Sequence, residues 1–492
     1  MGNKPNSSFK KNLNASTIQI ISEINENYYY GNFWKESKES IIIKSIGILI
    51  KDKSSLYALT NFNAVRFANT IKIYLDNGNS KKIRFYEVRA KIICESIELG
   101  LTLLEVDYPV DWRLIDNVIT ISDINPEYMP DNFPVNLYYV NYGVIKNKLF
   151  IDKRVINNVI TAHKYKRLFD KFSSLLPFYE CQLENIVEQD FLLGSPVTDN
   201  KGSIVGLISG YYEKGKTTIY QMTSAITMLR LLNDYFVNKN DVIKLLGFPF
   251  TCDGSVVITE NIDTKYMDIK NINHKFKKGD VIKKICGINL PDNCNVYSPV
   301  LKSYMPIDAY ISLHIYNIES LDIQFERNGR IITWKLKNPL LVDGRPMPLS
   351  YNLDCKLEII DFFGLMFMIP CVELVNIYKR IYNINEYQFD ILKKSTLVDN
   401  NKYLILVDIK ITEKTDNIIK LLSGEDKKLI LLHSINNKSI GNMDDVIKIK
   451  SSVKKYKIIL SVCTVVEQLN LQENITLTLN STDSETSVWK IS

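Results

Sequence analysis

The residue types able to do covalent or proton-transfer chemistry are thinly spread in this chain. Four histidines (His163, His274, His314, His433) stand far apart in the sequence. Eight cysteines occur singly, from Cys94 to Cys463. Without a Cys-x-x-Cys pair a zinc ribbon is unsupported, and reduced thiols of a cytosol-like compartment are the expectation. One phosphate-binding pattern matches literally: Gly210-Tyr211-Tyr212-Glu213-Lys214-Gly215-Lys216-Thr217 fits G-x-x-x-x-G-K-[ST]. A P-loop must follow a strand and open a helix whose N-terminus faces the phosphate. Here Thr217-Thr218-Ile219-Tyr220 follows, β-branched and aromatic, so a hairpin turn is the favoured reading and a P-loop NTPase the alternative. The basic run Lys164-Tyr165-Lys166-Arg167 reads as a solvated helix or loop face. No cofactor, metal or nucleic acid is expected.

Composition narrows the class. The chain has 492 residues, 46% apolar and 24% charged, with a formal net charge of +6. That is the balance of an ordinary globular protein of about three domains, too weakly basic to imply nucleic acid. Apolar runs such as Phe362 to Val372 fall short of the roughly 18 residues that cross a bilayer. The first twenty residues contain no apolar h-region, so no signal peptide is expected. Ile, Asn, Lys and Tyr are favoured over Ala, Gly and Pro, as in an AT-rich genome.

The elements that must position any site are mostly short strands. β-type runs cover Ser40 to Lys51, Ser55 to Asn61, Thr70 to Leu75 and Lys82 to Cys94. Others cover Val118 to Ile121, Val135 to Val140, Gly143 to Asp152, Val155 to Thr161, Ser203 to Ser209 and Thr217 to Thr223. Short strands at this spacing predict a barrel or sandwich. Ser224 to Phe236 has apolar residues three and four apart and predicts a helix closing the first domain. Downstream, Leu321 to Phe325 and Ile331 to Leu336 flank Asn328-Gly329, a hairpin signal. Leu429 to Asn436, a turn at Asn437-Lys438, a helix from Met443 to Ser451, and strands at Ile458 to Thr464 and Ile475 to Leu479 suggest another α+β unit. The expected organisation is a flexible tail at 1–22, a β domain at 23–238, and two α+β domains at 239–345 and 346–492.

The segment Leu193-Gly194-Ser195-Pro196-Val197, followed by Gly202 and Val205-Gly206-Leu207-Ile208-Ser209, resembles the nucleophile loop and following strand of HtrA/Deg-type serine proteases. Leu59-Thr60-Asn61-Phe62-Asn63-Ala64-Val65 resembles that family's T-N-x-H-V-V strand end. Gly100-Leu101-Thr102-Leu103-Leu104 resembles its D-L-A-L-L strand. The resemblance implies a mainly β fold: a trypsin-like double β-barrel followed by two PDZ-like α+β domains. It also places Asn63, Gly100 and Leu193 at the positions of the catalytic histidine, aspartate and serine. An amide has no useful proton affinity near neutrality, glycine has no side chain, and leucine is no nucleophile. Phe191 stands where a glycine helps shape the oxyanion loop beside Gly194. Ser195 lies two residues past the nucleophile position, where the family's serine or glycine is structural.

Lys278 to Leu290 resembles the G-D-h-I-x-x-I-x-G stretch of PDZ domains. Leu246-Gly247-Phe248 resembles their glycine loop, whose N–H groups receive a peptide carboxylate beside a strand edge. Leu432 to Asp445 resembles part of a second PDZ domain, with Phe363-Gly364-Leu365 as its loop. The implied protein is a non-catalytic, protein-binding or self-assembling homologue, by family habit a homo-oligomer. It would be cytoplasmic or virion-associated, and its composition suits an accessory protein of a large DNA virus. An active serine endopeptidase with a rewired site is the competing enzyme reading.

Overall fold

In the computed structural model the described residues are the elements named below and the turns joining them. The longer stretches outside them are 1–12, 26–38, 183–192, 238–249, 259–276, 338–357, 369–403 and 410–428. The chain divides into two compact units, one spanning 1–29 and 37–344, the other 30–36 and 345–492.

The first unit begins with a barrel of six antiparallel strands. These are β1 (Thr17–Asn25), β2 (Ser40–Asp52), β3 (Ser55–Asn61), β4 (Ala68–Asp76), β5 (Phe85–Ser96) and β6 (Leu101–Val106). The order β1-β4-β5-β6-β3-β2 closes through β1–β2 pairing, and the short β7 (Ile119–Thr120) lies parallel to β2. Ile18, Ile20, Leu49, Ala58, Ile73 and Leu104 fill the interior. β1 corrects the expected tail: Thr17 to Ser22 pairs with β2, and Gln19 to Ser22 with β4 as well. Ile18, Ile20, Ser22 and Ile24 are buried, every second residue as on one face of a strand, although the residues before it are polar.

A second closed barrel, β10-β13-β12-β11-β8-β9, follows. Its strands are β8 (Pro134–Ile145), β9 (Lys148–Arg167), β10 (Leu175–Gln182), β11 (Pro196–Thr198), β12 (Ile204–Lys214) and β13 (Thr217–Ser224). The two strands expected at Gly143 to Asp152 and Val155 to Thr161 are redistributed. β9 runs unbroken through Asp152, Lys153 and Arg154, because these pair with Asn141, Val140 and Tyr139 of β8. Interior charges in the sequence broke the apolar run but not the ladder. Lys164 to Arg167, expected on a helix or loop, ends the same strand, opposite Phe178 to Leu175 of β10.

Two small helices complete the barrels. α1 (Phe62–Val65) follows β3, and α2 (Ala225–Phe236) follows β13. Met228, Leu231 and Leu232 of α2 enter a core that also holds Leu59, Leu103 and Leu207, so the helix seals the seam between the barrels. This is the trypsin-like double-barrel arrangement. Arg230 Nε donates to Asp234 Oδ2 at 2.8 Å, with each side chain only 2% exposed.

The remainder of the first unit is a sheet in the order β14-β15-β16-β20-β21, with β17 beside β16. Its strands are β14 (Phe250–Cys252), β15 (Val256–Ile258), β16 (Val281–Ile285) and β17 (Ile288–Asn289), then β20 (Ser320–Arg327) and β21 (Arg330–Lys337). A separate hairpin, β18 (Asn295–Ser298) and β19 (Ser303–Pro306), leads into α3 (Ile307–His314). Leu301, Met305, Ala309 and Leu313 lie in the same core as α2 and Tyr138. This hairpin and helix are therefore part of the barrels' hydrophobic core. The Asp280 carboxylate is gripped by Arg327 through Nε (2.7 Å) and Nη2 (2.6 Å).

The second unit has a sheet in the order β28-β27-β25-β24-β23-β22-β29. Its strands are β22 (Glu358–Phe362), β23 (Leu365–Met368), β24 (Leu404–Ile409), β25 (Leu429–Ile435), β26 (Lys438–Ser439), β27 (Lys455–Val466), β28 (Leu469–Asn480) and β29 (Ser487–Lys490), with β26 beside β25. The helix α4 (Met443–Ile449) follows β26. The turn expected at Asn437-Lys438 falls one residue earlier. Asn436 and Asn437 both have positive φ, 51° and 64°, and Ile435 pairs with Lys438. Among the described residues no helix is long and apolar enough to cross a membrane.

Candidate functional site

The segments that resemble protease motifs meet where the two barrels touch. Asn61 caps α1, its Oδ1 accepting from the Asn63 N–H at 2.9 Å. Its Nδ2 donates to the carbonyl of Gly100 (3.1 Å) and to that of Ser209 in β12 (2.9 Å). One buried amide thus ties together α1, the loop before β6 and the second barrel. The Phe62 N–H also donates to the Gly100 carbonyl at 3.0 Å. An Asn at a helix N-cap supplies an acceptor that the first turn otherwise lacks, so this sequence folds locally into a fixed corner.

Around that corner stand the three residues assigned from the resemblance. Asn63 is exposed in the first turn of α1. Its Oδ1 accepts a long 3.4 Å contact from Arg66 Nη1. Gly100 has φ +69°, and a Cβ placed on it would meet only Thr223 Oγ1, at 4.0 Å. Leu193 is partly buried and its carbonyl accepts from the Ile46 N–H at 2.8 Å. None of these three side chains can carry a proton relay or attack a carbonyl.

The loop at Gly194 is clamped between barrels. Its N–H donates to the Ile208 carbonyl at 2.7 Å, and the Ile208 N–H returns a bond to the Ser195 carbonyl at 2.9 Å. Gly194 has φ +84°, and a Cβ there would overlap the Ile46 carbonyl oxygen and sit 2.7 Å from Thr60 Oγ1. Thr60 Oγ1 itself donates to that carbonyl at 2.7 Å. Only glycine fits. Ser195 is fully buried and its Oγ has no hydrogen-bond partner among the described residues. Phe191 lies outside the described residues.

One titratable group near this corner carried no signal in the sequence reading. Glu95, at the end of β5, pairs with Thr102 of β6. Burial pushes its carboxyl up to about 7, against the pull of the nearby Arg66 guanidinium. The Thr102 hydroxyl opposite is buried and has no hydrogen-bond partner among the described residues. The one hint in the sequence was an acid ending the apolar run Ile92-Ile93-Cys94.

The other expected sites fare differently. Leu246, Gly247 and Phe248 lie outside the described residues, as does Phe363. Gly364 and Leu365 are described. Phe362 pairs with Leu365 in a tight hairpin, and the Gly364 N–H donates to Asp361 Oδ1 at 2.9 Å. That N–H is already engaged by a side-chain carboxylate. At the P-loop pattern the favoured hairpin reading holds and the P-loop alternative is overturned. Gly210 to Lys214 pairs with Thr217 to Gln221 in antiparallel register, and the helix starts only at Ala225. The pattern's flanks are ladder strands, so no helix N-terminus faces a phosphate there. Among the described residues no group of three or more His, Cys, Asp or Glu could hold a metal ion.

No family model matches the chain, and no curated protein matches it in sequence. Solved structures do. The HtrA-type protease AlgW with a tripeptide is 12% identical, with a TM-score of 0.43 over 67% of this chain and 95% of that one. A serine endoprotease from Yersinia pestis is 14% identical, with a TM-score of 0.40 over 68% and 97%. The Rv3671c protease from M. tuberculosis is 14% identical, with a TM-score of 0.30 over 46% and 86%. At these values the double-barrel assignment rests on the strand order described above.

Proposed function

We propose that this protein is a non-catalytic HtrA/Deg-like scaffold that binds other proteins or assembles with itself. The observation that carries the reading is a contrast at the inter-barrel corner. The frame is intact, with the Asn61 amide bonded to three segments and Gly194 held where no side chain fits. The three positions that would do chemistry in such a frame hold Asn63, Gly100 and Leu193. Serine hydrolysis needs a hydroxyl, a base to take its proton and a carboxylate to orient that base. Ser195 does not supply the first in this reading, because its Oγ is sealed from solvent and bonded to no base among the described residues. The PDZ-like reading of the regions after the barrels belongs to this proposal, as does homo-oligomer formation.

A fluorophosphonate probe tests the chemical half. A serine activated by a base reacts covalently with it. The purified chain is expected to stay unlabelled at concentrations that saturate a trypsin control. Stoichiometric labelling, mapped to one serine, would replace this reading with the rewired protease.

A further inference from the structure

The sheet that follows the barrels ends on a long edge. β21 is the last strand in its order, and among the described residues it pairs only with β20. It has eight residues, Arg330–Lys337, about 26 Å of backbone at about 3.3 Å per residue. β14, at the sheet's other end, has three.

The hairpin turn fixes which backbone groups face outward. Asn328 and Gly329 have φ of 52° and 73°, the two left-handed residues of a type I′ turn. In such a turn the flanking residues, here Arg327 and Arg330, exchange hydrogen bonds with each other. Alternation then points the N–H and C=O of Ile332 toward β20, and those of Ile331, Thr333 and Lys335 away from it. Ile331 is also 60% exposed, and Thr333 is exposed beside it. Open edges of this length are usually covered, kinked or guarded by charge.

Charge says what this edge accepts. The strand Arg-Ile-Ile-Thr-Trp-Lys-Leu-Lys carries three cations and no acid. The acids one strand inward are engaged or opposed: Glu326 by Lys283 at 3.3 Å, while Asp322 faces Lys335 in the register. Antiparallel pairing of two copies of β21 would bring like charges together, which is destabilising. An extended segment bearing acidic side chains would instead bring opposite charges into cross-strand pairs.

We propose that β21 is a docking edge that takes an acidic, extended segment of a partner protein by β-strand addition. The inference deepens the scaffold reading, on which it rests for its biological sense. Its geometry is independent of the cleft.

The test uses the full chain and a fluorescent, end-blocked peptide of about ten residues alternating threonine and glutamate, with a threonine–lysine peptide as its counterpart. The acidic peptide should bind, raise fluorescence anisotropy, and slow hydrogen exchange of the Ile331 and Thr333 amides. Thr333→Pro removes an outward N–H and leaves the inward ladder whole. It should weaken binding at least tenfold with an unchanged melting temperature, while Thr333→Val should bind like the natural chain. Arg330→Glu should weaken the acidic peptide several-fold and favour the basic one. Equal binding of both peptides, no binding of either, or full binding by Thr333→Pro would overturn the proposal. So would Ile331 and Thr333 amides as protected in the free chain as that of Ile332, since the edge would then already be covered. None of these outcomes depends on whether the cleft cleaves, so the two readings fail separately.

Discussion

Replacing Gly194 by alanine tests whether the inter-barrel loop is a clamped structural joint. The φ of +84° costs an L-residue about 1–2 kcal/mol. The added methyl would overlap the Ile46 carbonyl oxygen and press on Thr60 Oγ1. Relief requires moving the loop, and the loop is held by Ile46 N–H to Leu193 O at 2.8 Å and Gly194 N–H to Ile208 O at 2.7 Å. Losing or lengthening both adds about 2 kcal/mol, since each buried bond is worth about 1 kcal/mol net. The total is about 3–4 kcal/mol. For a unit of this size that lowers the melting temperature by roughly 10 °C, read by circular dichroism or calorimetry. Gly210→Ala is the control. A Cβ there meets only Gln221 Oε1 at 3.6 Å, and the expected change is within about 0.5 kcal/mol. If Gly194→Ala melts together with the control, the loop is not clamped and the frame argument fails.

Other perturbations follow from the same contacts. Glu95 has a folded-state pKa of about 7 against 4.5 for the free side chain. Its contribution is therefore full below about pH 4.5 and is lost as pH rises through about 7, by up to about 3 kcal/mol at about 1.36 kcal/mol per pH unit. Urea midpoints should fall from pH 5 to pH 8 in the natural chain and flatten in Glu95→Gln. Equal slopes in the two proteins would contradict the assignment. Arg230→Met removes the ion pair from the buried Asp234 carboxylate and should cost about 3–5 kcal/mol, whereas Arg230→Met with Asp234→Leu should recover most of it. Thermal melts of the single and double variants check this. Asn61→Ala removes three hydrogen bonds and should cost about 2–3 kcal/mol. Its signature is faster amide exchange at Asn63, which separates loss of the cap from general loosening.

Much of the barrel architecture could be read from β-branched runs and their turns. β3 has the expected bounds, and the closing helix begins one residue later than expected. What escaped had a physical reason in each case. β1 was hidden by the polar residues before it and by Ile21 and Ser22, which break its apolar alternation. β9 was split by charges that the ladder tolerates. The literal P-loop pattern could be read as a hairpin from its β-branched and aromatic flank alone, as the ladder shows. At the site, motif spacing pointed to Asn63, Gly100 and Leu193. It could not reveal that Asn61 does the tying, because an N-cap bond and two cross-segment bonds from one amide exist only once three distant segments meet. Glu95 stayed invisible for the same reason: burial shifts its proton affinity, and burial is a property of the folded chain. The incorporation of β18, β19 and α3 into the barrel core has no periodic signature at all.

The most direct test of the central claim is degradation of an unfolded substrate such as casein by the purified chain, beside a triple revertant carrying Asn63→His, Gly100→Asp and Leu193→Ser. The natural chain is expected to leave casein intact over a time in which a trypsin control digests it fully. The revertant tests the assigned positions, though the aspartate must accept the left-handed backbone of residue 100. Cleavage by the natural chain that co-purifies with it and is blocked by a serine-directed inhibitor would contradict the account.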